Sequence, residues 1–123
     1  MKEGRVDMYQ IHYLNKISQQ GTALWTEDFA LNDDMNAADG VLVRSANMHD
    51  MELPQNLLAI ARAGAGVNNI PLTTCADKGI VVFNTPGANA RSVMELTLCG
   101  MLLGSRDIIN GVNWVQSIQD QPD

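Results

Sequence analysis

"LLAIARAGAGVNNIPLTTCADKGIVVFNTP", Leu57 to Pro86, decides how this chain folds. Its two ends read as strands. Leu57 to Ala63 is an apolar run broken only by Arg62, and Gly79 to Pro86 is rich in β-branched residues and stopped by a proline that has no N–H for a ladder. Between them "NNIPLTTCADKG" suits a short helix closed by Lys78 and Gly79. Strand, helix and strand in so short a stretch imply a right-handed parallel crossover. Upstream, "ADGVLVRS" (Ala38 to Ser45) carries the continuous apolar run Val41, Leu42, Val43 of a strand buried on both faces. "MYQIHYLNKI" (Met8 to Ile17) alternates and reads as the first strand. "TALWTEDF" (Thr22 to Phe29) is a weaker second strand. The "SQQG" before it is too short for a crossover helix, so either the two strands join unusually or one of them is misplaced. The pattern is α/β, an open doubly wound parallel sheet whose sites lie at the carboxyl ends of its strands.

A long helix begins near Asn89. Either Asn89 or Ser92 can cap it, and Ser92 with Glu95 has capping-box spacing. Its body, "VMELTLCGMLLGSRDI" (Val93 to Ile108), is apolar on almost every side where a surface helix would carry one stripe. Such a helix must be covered on several faces. Trp114, Val115 and Ile118 keep helical spacing up to an end that looks cut rather than completed.

Composition excludes several classes. At 123 residues, 46% hydrophobic and 18% charged, the chain reads as one globular domain. A net charge of -6, with eight Lys and Arg in all, argues against a nucleic-acid partner but leaves room for a small anion held locally. No apolar run approaches the ~20 residues of a membrane span, and "MKEGRVDMYQ" lacks a signal-peptide core, so a cytoplasmic protein is expected. Cys75 and Cys99 lack C-x-x-C spacing and read as reduced core residues. His12 and His49 belong to no ligand pattern, and no metal is assigned.

Three loops at strand ends could carry chemistry. In "RAGAGVNN" (Arg62 to Asn69) the glycines let backbone N–H groups face an anion without interference from a Cβ. The spacing begins like G-x-G-x-x-G, but Asn69 holds the third glycine position and no carboxylate stands near Phe83, Asn84 and Thr85, so a dinucleotide site is disfavoured against a turn with structural glycines. Arg44 can form a bidentate pair with carboxylate or phosphate, with the Ser45 hydroxyl beside it, although a solvated arginine is the commoner role. "NTPGANARS" (Asn84 to Ser92) offers Asn89, chiefly as a cap, and Arg91, which opposes the helix dipole. His49 and Asp50 have no third member or nucleophile and read as loop residues.

"VLVRS", "LLAIARAGAGVNNI", "GIVVFNTPGANARSVMELTL" and "MLLGSRDI", in this order and spacing, resemble the D-isomer-specific 2-hydroxyacid dehydrogenases. The likeness is close from about Val41 to Trp114 and loose before it. It implies a flavodoxin-like parallel sheet with helices on both faces, forming the N-terminal part of a substrate-binding domain over residues 1–104. Residues 105–123 would then start the segment leading into an NAD-binding Rossmann domain. The resemblance further implies that the Ala65 and Gly66 N–H groups hold the substrate carboxylate and that Ala65 also approaches the nicotinamide. Arg44 and Ser45 would reach the substrate, Arg44 being suited to a phosphate such as that of phosphoglycerate. Asn89 resembles the family's loop asparagine, and Thr97 would lie on the helix face nearest the cofactor. The family's catalytic arginine, glutamate and histidine, and its true G-x-G-x-x-G, fall beyond Asp123, so the chain alone is expected to be inactive. Its apolar helix implies a homodimer or a domain-swapped oligomer. Two departures, Asn68 and Pro71 where the family often has aspartate, bear on loop anchoring. The alternative is a stand-alone flavodoxin-like module that senses a small anion without catalysis.

Overall fold

The structure, a computed structural model, describes residues 8–119. The chain divides into two compact units between Pro86 and Gly87. In the first, β1 (Tyr9–Tyr13), β2 (Phe29–Leu31), β3 (Gly40–Val43), β4 (Ala59–Arg62) and β5 (Val81–Phe83) form one five-stranded sheet in the order β2-β1-β3-β4-β5. Every pairing is parallel. This is the flavodoxin-like strand order, in which the winding direction reverses between β1 and β3.

The second strand lies later than its sequence pattern implied. Ser18, read as part of the link, is instead the N-cap of a four-residue helix, α1 (Gln19–Thr22), and of the expected Thr22-to-Phe29 strand only Phe29 pairs. The whole connection from Leu14 to Asp28 therefore serves as the crossover that a parallel pair requires. Register then sorts the side chains onto two faces. Val41 pairs with Ile60 and Ile60 with Val82, and this row packs with Met48, Leu53, Leu57, Ile70, Cys75 and Ile80 to make the core. The opposite row holds Tyr13, Leu42, Ala61 and Phe83. There Trp25, from the stretch after α1, sets its ring edge-on to Tyr13 at 5.7 Å and tilts against Phe29.

The helix α2 (Leu72–Asp77) closes as its sequence implied. Gly79 takes φ +73, so that Ile80 N–H reaches the Cys75 carbonyl at 2.8 Å and Gly79 N–H reaches that of Ala76 at 3.1 Å. These are the two bonds of a Schellman cap, and both Ile80 and Cys75 are buried beneath it. Lys78 Nζ donates to the Leu53 carbonyl at 2.6 Å, fastening the helix end to the preceding loop.

The second unit is a helical pair, α3 (Ala90–Ser105) and α4 (Ile108–Ile118), turned by Asp107 at φ 51. Neither helix has a buried residue, and Leu96, Met101 and Trp114 are 74%, 65% and 63% exposed. No helix among the described residues is long and apolar enough to cross a membrane.

Candidate functional site

The carboxyl ends of β1, β3, β4 and β5 converge on one edge of the sheet, and four side chains lace their loops together. From the end of β1, the half-buried Asn15 offers its Oδ1 to the backbone N–H groups of Arg44, Ser45 and Ala46 at 2.8, 3.0 and 3.1 Å. From the end of β4, Arg62 Nε donates to the Arg44 carbonyl at 2.9 Å, while its Nη1 donates to the Gly66 carbonyl. Asn84, after β5, donates from Nδ2 to the Ala65 carbonyl at 2.7 Å, and Thr85 N–H reaches the Gly64 carbonyl at 3.0 Å. Asn69 donates from Nδ2 to the Ala46 carbonyl at 2.8 Å, and its backbone carbonyl accepts from Met48 N–H at 2.9 Å.

The carbonyls of the glycine loop thus face inward, onto Arg62, Asn84 and Thr85. Its outward groups are unspent. Among the described residues, neither the Ala65 nor the Gly66 N–H has a hydrogen-bond partner, and both residues are exposed. A Cβ on Gly66 would lie 3.0 Å from Arg62 Nη1 and 3.2 Å from Asn68 Oδ1, so the glycine is needed for the close approach of the guanidinium. Two adjacent unpartnered N–H donors on exposed residues beside a fixed cation form a donor site for one carboxylate or phosphate oxygen pair. Next to them, the Arg44 guanidinium is exposed and has no ion-pair partner among the described residues, and the Ser45 hydroxyl has no hydrogen bond there. The sequence-derived quartet Arg44, Ser45, Ala65 and Gly66 is therefore gathered on the adjacent ends of β3 and β4.

Asn89 and Thr97 lie in the helical unit. Asn89 is the N-cap of α3, but its side chain makes no capping bond, and the Ser92–Glu95 capping box does not form because the helix already starts at Ala90, which puts Ser92 inside it; Glu95 pairs with Arg91 at 3.4 Å. Of the two expected caps, Asn89 holds the N-cap position with its side-chain amide unbonded among the described residues, and Ser92 does not cap; Arg91, expected to oppose the helix dipole, pairs with Glu95. The Thr97 hydroxyl is used within α3, donating to the Val93 carbonyl at 2.8 Å. The histidines are structural. His12 Nδ1–H donates to the Asn32 carbonyl at 3.0 Å, and His49 Nε2–H to that of Asn68 at 2.9 Å. Among the described residues no group of three His, Cys, Asp or Glu is placed to hold a metal. Burial pushes the Cys75 thiol up, against a smaller opposing pull from Lys78, which marks it as an inert core group. A depression of about 1000 Å³ between Tyr13, Lys16 and Trp25 includes none of the quartet.

The model of the D-isomer specific 2-hydroxyacid dehydrogenase catalytic domain matches residues 5–117. The chain belongs to this family. It is 40% identical over 98 residues to a hydroxypyruvate reductase of Thermotoga maritima, covering 77% of this chain and 32% of that protein. It is 35% identical over 101 residues to the D-3-phosphoglycerate dehydrogenase of Methanocaldococcus jannaschii, covering 80% and 19%. Among solved structures, a 2-hydroxyacid dehydrogenase from Ketogulonicigenium vulgare Y25 superposes with a TM-score of 0.71 at 25% identity, over 89% of this chain and 40% of that one. NAD+-bound 3-phosphoglycerate dehydrogenase of Entamoeba histolytica gives 0.61 at 27% identity, over 78% and 39%. The chain thus spans about a third or less of the curated relatives it matches.

Arg62, Asn15 and Asn84 were not singled out by sequence reasoning. Arg62 sat in the quoted motif as an interruption of an apolar strand, which was its signal: a charge at the end of an otherwise apolar run points to partners nearby, here the Arg44 and Gly66 carbonyls. Asn15 and Asn84 follow their strands as ordinary loop residues, and nothing local marks the carbonyls or N–H groups they reach across the sheet.

Proposed function

We propose that this chain is the substrate-binding portion of an NAD-dependent D-3-phosphoglycerate dehydrogenase, an enzyme that would feed serine biosynthesis. The observation that carries the reading is that two N–H donors, at Ala65 and Gly66, and the Arg44 guanidinium just past the neighbouring strand all lack partners among the described residues. A carboxylate on the first and a phosphate on the second is the charge pattern of phosphoglycerate. Ser45 adds a hydroxyl at the phosphate end, and Asn89, in the helical unit, is kept as a further substrate-binding residue on the family likeness alone. NAD would supply hydride acceptance at the substrate's C2. The described residues fit only its edge: Ala65 is exposed for an approach of the nicotinamide but its N–H is given to the carboxylate, and the Thr97 hydroxyl is already engaged by its own helix. Residues 105–123 are assigned as the start of the segment leading into the cofactor domain. The exposed apolar helices favour a homodimer or a domain-swapped oligomer, and the composition favours a cytoplasmic setting.

Orientation is what this chain contributes. Preorganised donors fix both ends of the acid, so that its C2 is presented at one place. The test is steady-state kinetics on a polypeptide that joins this chain to its dinucleotide-binding partner domain. With NAD as acceptor, phosphoglycerate should be preferred over the unphosphorylated D-glycerate and glycolate, and Arg44→Ala should raise KM for phosphoglycerate alone. Preference for an unphosphorylated acid would move the assignment to a reductase of the same family, a reading favoured by the Thermotoga maritima relative. The 123-residue chain alone should reduce no NAD. A stand-alone anion-sensing module remains the second reading, carried by the same N–H pair, and would bind phosphate and glycerate separately with no gain from joining them.

A further inference from the structure

We infer that Asn15 is a positioning residue that sets the phosphate preference of the Arg44–Ser45 pair, an inference that rests on the substrate reading above. The winding reverses between β1 and β3, so the connections leaving the two strands diverge and no backbone link closes the crevice between them. The last ladder bond there is Leu14 N–H to the Leu42 carbonyl, at 3.0 Å. One residue on, the Asn15 side chain takes over: a single amide oxygen receives three consecutive N–H groups from residues 29 to 31 positions away. Three successive N–H groups aimed at one point make a nest, the backbone arrangement that otherwise captures an anion. Asn15 fills it.

The filled nest decides which groups of this loop can meet a ligand. The N–H groups of Arg44, Ser45 and Ala46 are spent on Asn15, the Arg44 carbonyl on Arg62, and the Ala46 carbonyl on Asn69. Of residues 44–46, only the Arg44 guanidinium and the Ser45 hydroxyl are left to read an anion, from a backbone clamped on both sides of Arg44. Without Asn15 the three N–H groups would be free, residues 44–46 would lose their tie to the end of β1, and Arg44 would swing. The glycine loop is held by Arg62, Asn84 and Asn69 instead, so recognition of the carboxylate should not depend on Asn15.

The test uses the full 123-residue chain, amide-resolved NMR and two probes differing only in the phosphate, D-glycerate and D-3-phosphoglycerate. In Asn15→Ala the Arg44, Ser45 and Ala46 amides should exchange faster with solvent. The preference for the phosphorylated probe should fall about tenfold, while glycerate binding at Ala65 and Gly66 is kept. Asn15→Asp keeps the acceptor oxygen and should keep the three amides protected. Should Asn15→Ala fail to fold, Asn15→Gln, whose amide lies one methylene too far out, carries the same expectation. Unchanged exchange at the three amides, or faster exchange with undiminished phosphate preference, overturns the inference. Absence of any phosphate preference in the unaltered chain overturns the substrate reading instead.

Discussion

Arg62 and Gly66 should be energetically coupled. The Arg62 guanidinium donates to the carbonyls of Arg44 and Gly66, and hydrogen bonds from a charged donor are worth about 1.5–3 kcal/mol each. Both acceptors lie in loops that water can reach, so Arg62→Met, which keeps the apolar stem, should cost about 3 kcal/mol in total, the lower end for two such bonds. Gly66→Ala acts on the same group. Its Cβ would stand 3.0 Å from Arg62 Nη1 and push the guanidinium off the Gly66 carbonyl. That loss, about 1.5 kcal/mol, is offset by roughly 0.5 kcal/mol from a less flexible unfolded chain, leaving about 1 kcal/mol of destabilisation. In an Arg62→Met background the clash partner is gone and only the Asn68 side chain, 3.2 Å away, has to give. Gly66→Ala should then stabilise by about 0.5 kcal/mol. The cycle predicts a coupling of about 1.5 kcal/mol, read by urea denaturation of the four proteins, against an additivity error of about 0.5 kcal/mol. Additive effects would mean that Arg62 does not hold the glycine loop.

Gly79→Ala should destabilise by about 1–2 kcal/mol in the same assay, because no atom lies within 4 Å of the new Cβ and the whole cost is left-handed backbone strain at φ +73. A thiol reagent should label the exposed Cys99 quickly and Cys75 only on unfolding. The buried Cys75 thiol titrates above its ordinary value of 9.0, so its contribution to stability is full below pH 9 and is lost as pH rises through the folded value, where the unfolded thiol has already ionised. A stability profile that falls above pH 9, and falls less in Cys75→Ala, checks this. Tyr13, raised from 10.0 chiefly by burial, adds a loss of the same sign at higher pH. Arg91→Ala should change stability by less than about 0.5 kcal/mol, because its pair with Glu95 is exposed.

Periodicity was a good guide where the chain is short of alternatives. The run Val41 to Val43 and the stretch Gly79 to Pro86 are strands because they have β-branched content and abrupt stops, and Lys78–Gly79 ended a helix because a left-handed position needs a glycine. The region from Thr22 to Phe29 misled for a physical reason. Its Trp25 and Phe29 look like strand residues, but Trp25 covers the sheet face from a turn, stacked edge-on against Tyr13, and only Phe29 enters the ladder. The same aromatic content serves either role, and no local pattern separates them.

The site was legible in its outward groups and illegible in its supports. Gly64 and Gly66 after a strand announce exposed N–H groups, and Arg44 after Val43 announces a cation at a strand end. What holds them is long-range: Asn15 acts on residues 29 to 31 positions later and Asn84 on one 19 positions earlier. Asn69 is the instructive case. In the string it looked like a missing third glycine, whereas in the fold its amide joins the glycine loop to the Ala46 carbonyl, a bond no glycine could make.

The most direct measurement is an amide-resolved NMR titration of the 123-residue chain with D-3-phosphoglycerate and, separately, D-glycerate. Both ligands should shift the Ala65 and Gly66 amides, and only the phosphorylated one should shift the Arg44 side-chain Nε–H. Shifts confined to other residues, or Ala65 and Gly66 amides that stay still at saturating ligand, would contradict the assignment of this loop as the carboxylate site.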